Sequence, residues 1–95
     1  MTPGLILVCH AAPEWGFGHL HRSLAMAAVA REQGWAVHLV TRGPRAPIET
    51  HLPPPLATCR VSQEAPLASE FECLRTARDA LHAKGAERLK VVVDH

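Results

Sequence analysis

Residues 16–22, Gly-Phe-Gly-His-Leu-His-Arg, lie between a short apolar run, residues 5–9, and an alanine-rich segment that continues to Arg31. Two glycines in this stretch allow the backbone to turn sharply, and the flanking apolar residues have the spacing of a buried strand and of a helix. The sequence therefore predicts a strand, a glycine turn and a helix in succession. Parallel sheets covered by helices are built from this unit.

The start of the predicted helix is a candidate anion site. The first N–H groups of a helix have no partner within the helix, and glycines allow a ligand to approach them closely. His21 and Arg22 place cationic or potentially cationic groups in the first turn, where the helix dipole disfavours them by about 0.3–1 kcal/mol each. A bound anion would remove this conflict. The alternative is a tight strand-to-helix turn whose Arg22 reaches solvent, since the full G-x-G-x-x-G pattern of dinucleotide sites is absent.

Short apolar runs and longer helical patterns alternate along the rest of the chain. The predicted strands are residues 5–10, 35–41, 57–61 and 89–93. Right-handed crossovers favour a Rossmann-like α/β fold, a parallel sheet of order 3-2-1-4 with flanking helices. The apolar fourth run is suited to a central strand. Prolines predict an extended loop over residues 42–56.

Two amphipathic helices are predicted between these strands. The expected buried face of the first, over residues 20–31, consists of Leu20, Leu24, Ala27, Ala28 and Arg31, widened by Ala25 and Val29. Ser69 and Glu72 form a capping box that is expected to begin the second helix. The expected buried stripe of that helix is Phe71, Leu74, Ala77 and Leu81. Gly34 and Gly85 follow the two predicted helices, at the position where a glycine commonly ends a helix.

Composition excludes several classes of protein. Hydrophobic residues make up 47% of the chain, charged residues 20%, and the formal net charge is +1, which is ordinary for a globular protein and gives no support for nucleic-acid binding. The first apolar run is too short to span a membrane and follows no basic region, so we expect a cytoplasmic protein without membrane insertion.

Cys9, Cys59 and Cys73 form no C-x-x-C motif, and we expect reduced thiols rather than a disulfide or a metal site.

Three stretches of the chain together resemble a known group of enzymes. They are residues 16–25, residues 31–40 and residues 91–95. In this order they are similar to the N-terminal part of the UDP-diacetamido-trideoxy-altropyranose hydrolases of pseudaminic acid synthesis. They also resemble the spore-coat polysaccharide glycosyltransferases and, more distantly, the bacterial enzyme that adds N-acetylglucosamine to lipid I.

This resemblance implies a protein of the GT-B class, in which two Rossmann-like domains hold a nucleotide sugar in the cleft between them. A chain of 95 residues makes at most one small domain. Residues 1–95 are therefore expected to be a single, incomplete Rossmann-like N-terminal domain, which by itself is inactive. The complete enzyme would hydrolyse the sugar–UDP bond or transfer the sugar. A stand-alone Rossmann-like module that binds a phosphate or a partner carboxylate without catalysis is the alternative.

His19 is the residue to which the resemblance gives the catalytic role. The helix dipole penalises imidazolium at this position, so we expect a neutral ring that accepts a proton from water as UDP leaves; a ring that only positions the loop is the alternative. The residues expected to contact the UDP-sugar are Gly16, Phe17, Gly18, His21, Arg22, Asp94 and His95. His10 stands where the hydrolase family usually has aspartate. No metal or cofactor is expected, because the histidines lack suitable spacing and companion ligands.

The last predicted strand has an edge that needs a partner. If residues 89–93 pair with the first strand, their other side presents unpaired N–H and C=O groups next to apolar side chains. We therefore expect the chain to associate through this edge with a second copy or a companion polypeptide, or else to be poorly stable as a monomer.

Overall fold

The computed structural model of the chain describes residues 2–10, 18–43 and 56–94. Four strands and two helices lie within these ranges. In chain order they are β1 (Thr2–His10), α1 (Gly18–Glu32), β2 (Ala36–Arg42), β3 (Ala57–Val61), α2 (Leu67–Ala83) and β4 (Ala86–Asp94).

The four strands form one parallel sheet of order β3-β2-β1-β4, which confirms the predicted fold class and strand order. Leu7 of β1 lies in register with Leu39 of β2 on one side and with Val92 of β4 on the other. The chain adds β2 and β3 on one side of β1 and then returns to place β4 on the other side. In open α/β sheets, ligands bind beyond the carboxyl ends of the strands where the order reverses in this way.

The two helices cover opposite faces of the sheet. Leu5 and Leu7 of β1 belong to the core on the α1 side, whereas Ile6 and Val8 belong to the core on the α2 side. β1 is buried on both faces from position 4 to position 9, as is typical of a central strand in a parallel sheet.

Helix α1 buries a narrow stripe of mostly small side chains. The buried residues are Leu20, Ser23, Ala27 and Ala30, and Leu24 is half-buried. The predicted burial of Ala25, Ala28, Val29 and Arg31 is wrong, since these residues are exposed. Alanines occur on every side of this helix, so its faces differ too little in hydrophobicity for the sequence to show which alanines face the sheet.

Helix α2 begins earlier than the sequence predicted. Its N-cap residue is Pro66, in an extended conformation, and there is no side-chain capping hydrogen bond. The capping box of Ser69 and Glu72 is therefore wrong, because both residues already lie inside the helix. Proline before the first turn suits a helix start, since it has no N–H group that would need a partner.

The inward face of α2 is rotated from the predicted stripe. The buried residues are Glu70, Cys73, Ala77 and Leu81, and Leu74 is half-buried. The burial of Ala77 and Leu81 is confirmed, but Phe71 is 53% exposed and its predicted burial is wrong. Glu70 takes the inward position because it has ionic partners on the sheet, which are described below.

Strand β4 lies at the edge of the described sheet and pairs with β1 alone, as the predicted strand order and the predicted open edge require. Its outer residues Val91 and Val93 are 53% and 56% exposed. β1 and β4 both begin before the predicted runs, and Arg42 belongs to β2 rather than to the proline-rich loop. Residues 44–55 of that loop lie outside the described residues.

Cys59 of β3 and Cys73 of α2 form a disulfide, so the expectation of three reduced thiols is wrong. The two residues meet because α2 packs beside β3, and their Cα atoms are 5.7 Å apart, within the range that a disulfide requires. Cys9 is a buried thiol, with Sγ 4.0 Å from Oγ1 of Thr41.

Gly34 and Gly85 follow the two helices with φ of 89° and 90°, as predicted for helix-ending glycines. In the part of the chain that the structure describes, neither helix combines the length and the apolar character needed to cross a bilayer.

Candidate functional site

Several ionisable residues lie at the end of the sheet where the parallel strands finish, which we call the carboxyl edge. β1 ends at His10, β2 at Arg42 and β4 at Asp94. Each helix follows a parallel strand and runs back along the sheet, so α1 begins at this edge with Gly18 and α2 begins there shortly before Glu70. The edge therefore brings together two helix N-termini and the ends of three strands.

At the start of α1, Arg22 contacts His19. The guanidinium NH2 atom of Arg22 lies 2.6 Å from Nδ1 of His19. Guanidinium nitrogens only donate hydrogen bonds, so Nδ1 is the acceptor and the neutral ring carries its hydrogen on Nε2. This contact directs the acceptor nitrogen of the ring toward Arg22.

The first turn of α1 is entirely without acidic residues. It holds His19, which is half-buried, together with the exposed residues His21 and Arg22. The dipole of the helix adds partial positive charge to the same place. These groups together favour an anionic ligand.

Among the described residues, nothing requires glycine at position 18. A Cβ at this position would meet only the NH1 atom of Arg22, at 3.7 Å, which is an ordinary van der Waals distance. Gly18 also lies outside the group of described glycines with positive φ, which are Gly34, Gly43 and Gly85. Neither backbone strain nor crowding within the described chain explains a glycine here.

The other residues predicted to contact the ligand are His21, Asp94, Gly16, Phe17 and His95. His21 is exposed on α1, two positions after His19, and successive helical positions of this spacing face different directions. Asp94 ends β4 in register with Cys9 of β1. Gly16, Phe17 and His95 lie outside the described residues.

An ionic network at the same edge was missed by the sequence analysis. Nε2 of His10 lies 2.9 Å from Oε1 of Glu70, and NH2 of Arg42 lies 3.2 Å from Oε2 of the same carboxylate. The side chains of Glu70 and Arg42 are only 10% and 11% exposed, whereas that of His10 is 20% exposed. The network joins the ends of β1 and β2 to the first turn of α2.

Arg42 also holds the segment that leads into α2. Its NH1 atom donates to the backbone carbonyl oxygens of Ser62, Gln63 and Ala65, at 3.2, 3.1 and 2.6 Å. One buried guanidinium thus satisfies three carbonyl groups and a carboxylate.

Glu70 is ionised at neutral pH. Burial by itself raises the pKa of this carboxyl group, but hydrogen bonds from His10 and Arg42 and their charges outweigh burial and hold the pKa below 4.5. Because the carboxylate accepts, His10 donates from Nε2. The only sequence signal for this network is that His10 ends one predicted strand and Arg42 directly follows another at the same edge; nothing in the sequence marks Glu70 as their partner.

His38 is a buried polar residue away from this edge. It lies in the first half of β2, is 6% exposed, and its Nε2 atom has no hydrogen-bond partner among the described residues. Burial, and secondarily the charge of Lys84, lower the pKa of His38. The ring is therefore neutral in the folded chain at physiological pH.

The described residues contain no group of three or more His, Cys, Asp or Glu side chains that could hold a metal ion. No protein-family model, curated protein or solved structure matches the chain.

Proposed function

We propose that the start of α1 binds the phosphate groups of a UDP-sugar, and that the chain supplies this site to an enzyme that hydrolyses the sugar–UDP bond or transfers the sugar. The observation that carries the proposal is the contact between His19 and Arg22 at a helix N-terminus beside the reversal of strand order. Open α/β sheets bind ligands at this position.

The electrostatics of the first turn support a phosphate ligand. Arg22 lies where the helix dipole is unfavourable to a cation, and the first turn itself contains no acidic residue. A phosphate would interact favourably with the guanidinium, with Nε2–H of His19 and with the N–H groups of the helix. Such a ligand would also account for glycine at position 18, because a Cβ there would lie close to the anion.

The proposal assigns His19 as the general base. Arg22 would turn from Nδ1 to the phosphate, and Nδ1 would then accept a proton from water. The water oxygen forms a bond to the anomeric carbon, and the bond from that carbon to the phosphate oxygen breaks, with UDP keeping the electron pair. In sugar transfer, a hydroxyl group of the acceptor takes the place of water.

The alternative is a phosphate-binding module without catalysis. The contact between Arg22 and Nδ1 of His19 favours it, because a ring in this state presents an N–H group to a ligand rather than a basic nitrogen.

Titration of the 95-residue chain with UDP and with inorganic phosphate tests the shared anion site by NMR. We expect the amide signals of Gly18 and His19 to shift at millimolar ligand. Arg22→Ala removes a charged hydrogen bond, which is worth about 1.5–3 kcal/mol, and should weaken binding by about 10-fold or more. Arg31→Ala, at the exposed far end of the same helix, is the matched control. If other amides move while Gly18 and His19 do not, the assigned site is wrong.

Catalysis separates the two candidate functions. In an enzyme reconstituted with a nucleotide-binding second domain, His19→Gln should lower the rate of UDP release by about 10²–10⁴, the usual loss of a general base. His21→Gln should have a much smaller effect. Equal activity of the His19 variant and the parent would exclude His19 as the base, and absence of UDP release from the parent would favour the binding module.

A further inference from the structure

Strand β4 has an outer edge that no described strand covers. It spans Ala86–Asp94 and pairs with β1 alone within the described sheet. Alternate backbone N–H and C=O groups therefore point away from the sheet along its length. Long apolar edges of this kind readily pair with another strand.

Apolar side chains lie next to this edge on the α2 face. Leu89, Val91 and Val93 are in register with Gly4, Ile6 and Val8 of β1, so they share the face that α2 partly covers. Phe71 and Leu74 of α2 line a groove of about 390 Å³ together with Leu89 and Val91. Phe71, Val91 and Val93 are each more than half exposed.

We propose that a second copy of the chain occupies this edge, with the two β4 strands antiparallel and a two-fold axis at Val91. This proposal does not depend on the proposed enzymatic function. In a two-fold antiparallel pair, one residue lies opposite its own copy, and opposite residues face the same side of the sheet. The apolar side chains of both β4 strands, and the groove that Phe71 lines in each copy, then lie on the same face of the joined sheet.

The charges along β4 and the number of residues that pair together select this register. An axis at Lys90 places two lysines opposite each other, and an axis at Leu89 places Arg88 opposite Lys90; both arrangements are destabilising. An axis at Val92 pairs only residues 90–94. An axis at Val91 pairs residues 88–94, with Lys90 opposite Val92 and with Arg88 opposite Asp94, residues of opposite charge.

The first test is the mass of the 95-residue chain in solution, by sedimentation over a series of concentrations. We expect a monomer–dimer equilibrium that Val91→Arg shifts toward monomer by at least 10-fold. Leu67→Arg is the matched control, because Leu67 is 62% exposed at the start of α2 and lies outside the groove lined by Phe71. A monomer at all concentrations, or a dimer that Val91→Arg leaves unchanged, would overturn the proposal.

Cross-linking tests which residues of the two β4 strands lie opposite each other. It does not require that the charged variant Val91→Arg folds. Val91→Cys should form an intermolecular disulfide with its own copy under mild oxidation, because opposite residues in antiparallel strands have Cα atoms about 4.5–5.5 Å apart, as a disulfide requires. Val92→Cys and Lys90→Cys should cross-link at least 10-fold more slowly, and the parent chain gives the background from its own cysteines. Fastest cross-linking at position 92 or 90, or no cross-linking above background, would contradict the proposed register.

Discussion

At the scale of single residues, Arg42 makes the most consequential contacts in the described chain. It ends β2, neutralises the buried carboxylate of Glu70 and donates to three backbone carbonyls that precede α2. Loss of this side chain would leave Glu70 with His10 as its remaining described partner and would remove one donor from each of three carbonyl groups. The residue thus connects the candidate site to the stability of the fold.

We predict that Arg42→Met lowers the free energy of unfolding by about 3–5 kcal/mol, as is usual when one member of a buried ion pair is removed. Arg78→Met is the control, because Arg78 forms an exposed pair with Asp79, and such pairs contribute about 1 kcal/mol or less. Urea unfolding of both variants measures the difference. Similar stability of the two variants would show that the buried network contributes no more than a surface pair.

We also predict that stability falls with decreasing pH in two steps. The pKa of His38 is lowered from 6.5, so below about pH 6.5 the unfolded chain binds a proton that the folded chain does not, and unfolding is favoured. The pKa of Glu70 is lowered from 4.5, so its stabilisation is present above that value and is lost as the pH falls through the pKa of the folded state.

His38→Leu tests the first step. Its unfolding free energy should depend less steeply on pH than that of the parent between about pH 7 and about pH 5. His82→Leu, on the exposed side of α2, is the control and should retain the slope of the parent. A His38 variant with the parent slope would show that other groups cause the loss of stability.

At the scale of elements, the disulfide fixes α2 beside β3. Cys73 lies one turn after Glu70 on the same inward face of α2, so the disulfide and the ionic network hold the same part of this helix. The position of α2 thus depends on cross-links to β3 and to the ends of β1 and β2.

We predict that reduction of the disulfide lowers the free energy of unfolding by about 3 kcal/mol, the value expected for a loop of this size. Thiol titration of the denatured chain should find one reactive thiol, Cys9, before reduction and three thiols after it, since the chain has three cysteines. A double variant with serine at positions 59 and 73 should match the reduced parent in stability. Three reactive thiols without reductant would show that the disulfide does not form in solution.

At the scale of the whole molecule, the exposed apolar residues Phe71, Val91 and Val93 lie around β4, where the sheet has an unpaired edge in the described structure. If the native chain pairs through this edge and the unfolded chain does not, dissociation must accompany unfolding. Mass action then makes the melting temperature depend on concentration.

We predict that the Tm of the parent rises with protein concentration over a 100-fold range, whereas the Tm of Val91→Arg does not. Calorimetry at about 10 µM and about 1 mM measures both, a range wide enough to resolve mass action. The Leu67→Arg control should behave like the parent. A parent Tm above about 65 °C that is independent of concentration, beyond the usual range for mesophilic domains, would show that the monomer is stable without a partner at β4.

The sequence by itself determined the strands, both helices, their glycine ends and the parallel order of the sheet. These features follow from local patterns, such as apolar runs of strand length, glycines at helix ends and the handedness of crossovers. The sequence also placed His19 and Arg22 in the first turn of a helix. Only the tertiary structure decided that Glu70 rather than Phe71 faces inward and that Cys59 meets Cys73. Each of these depends on contacts between residues distant in the chain, and no local pattern encodes which of them meet.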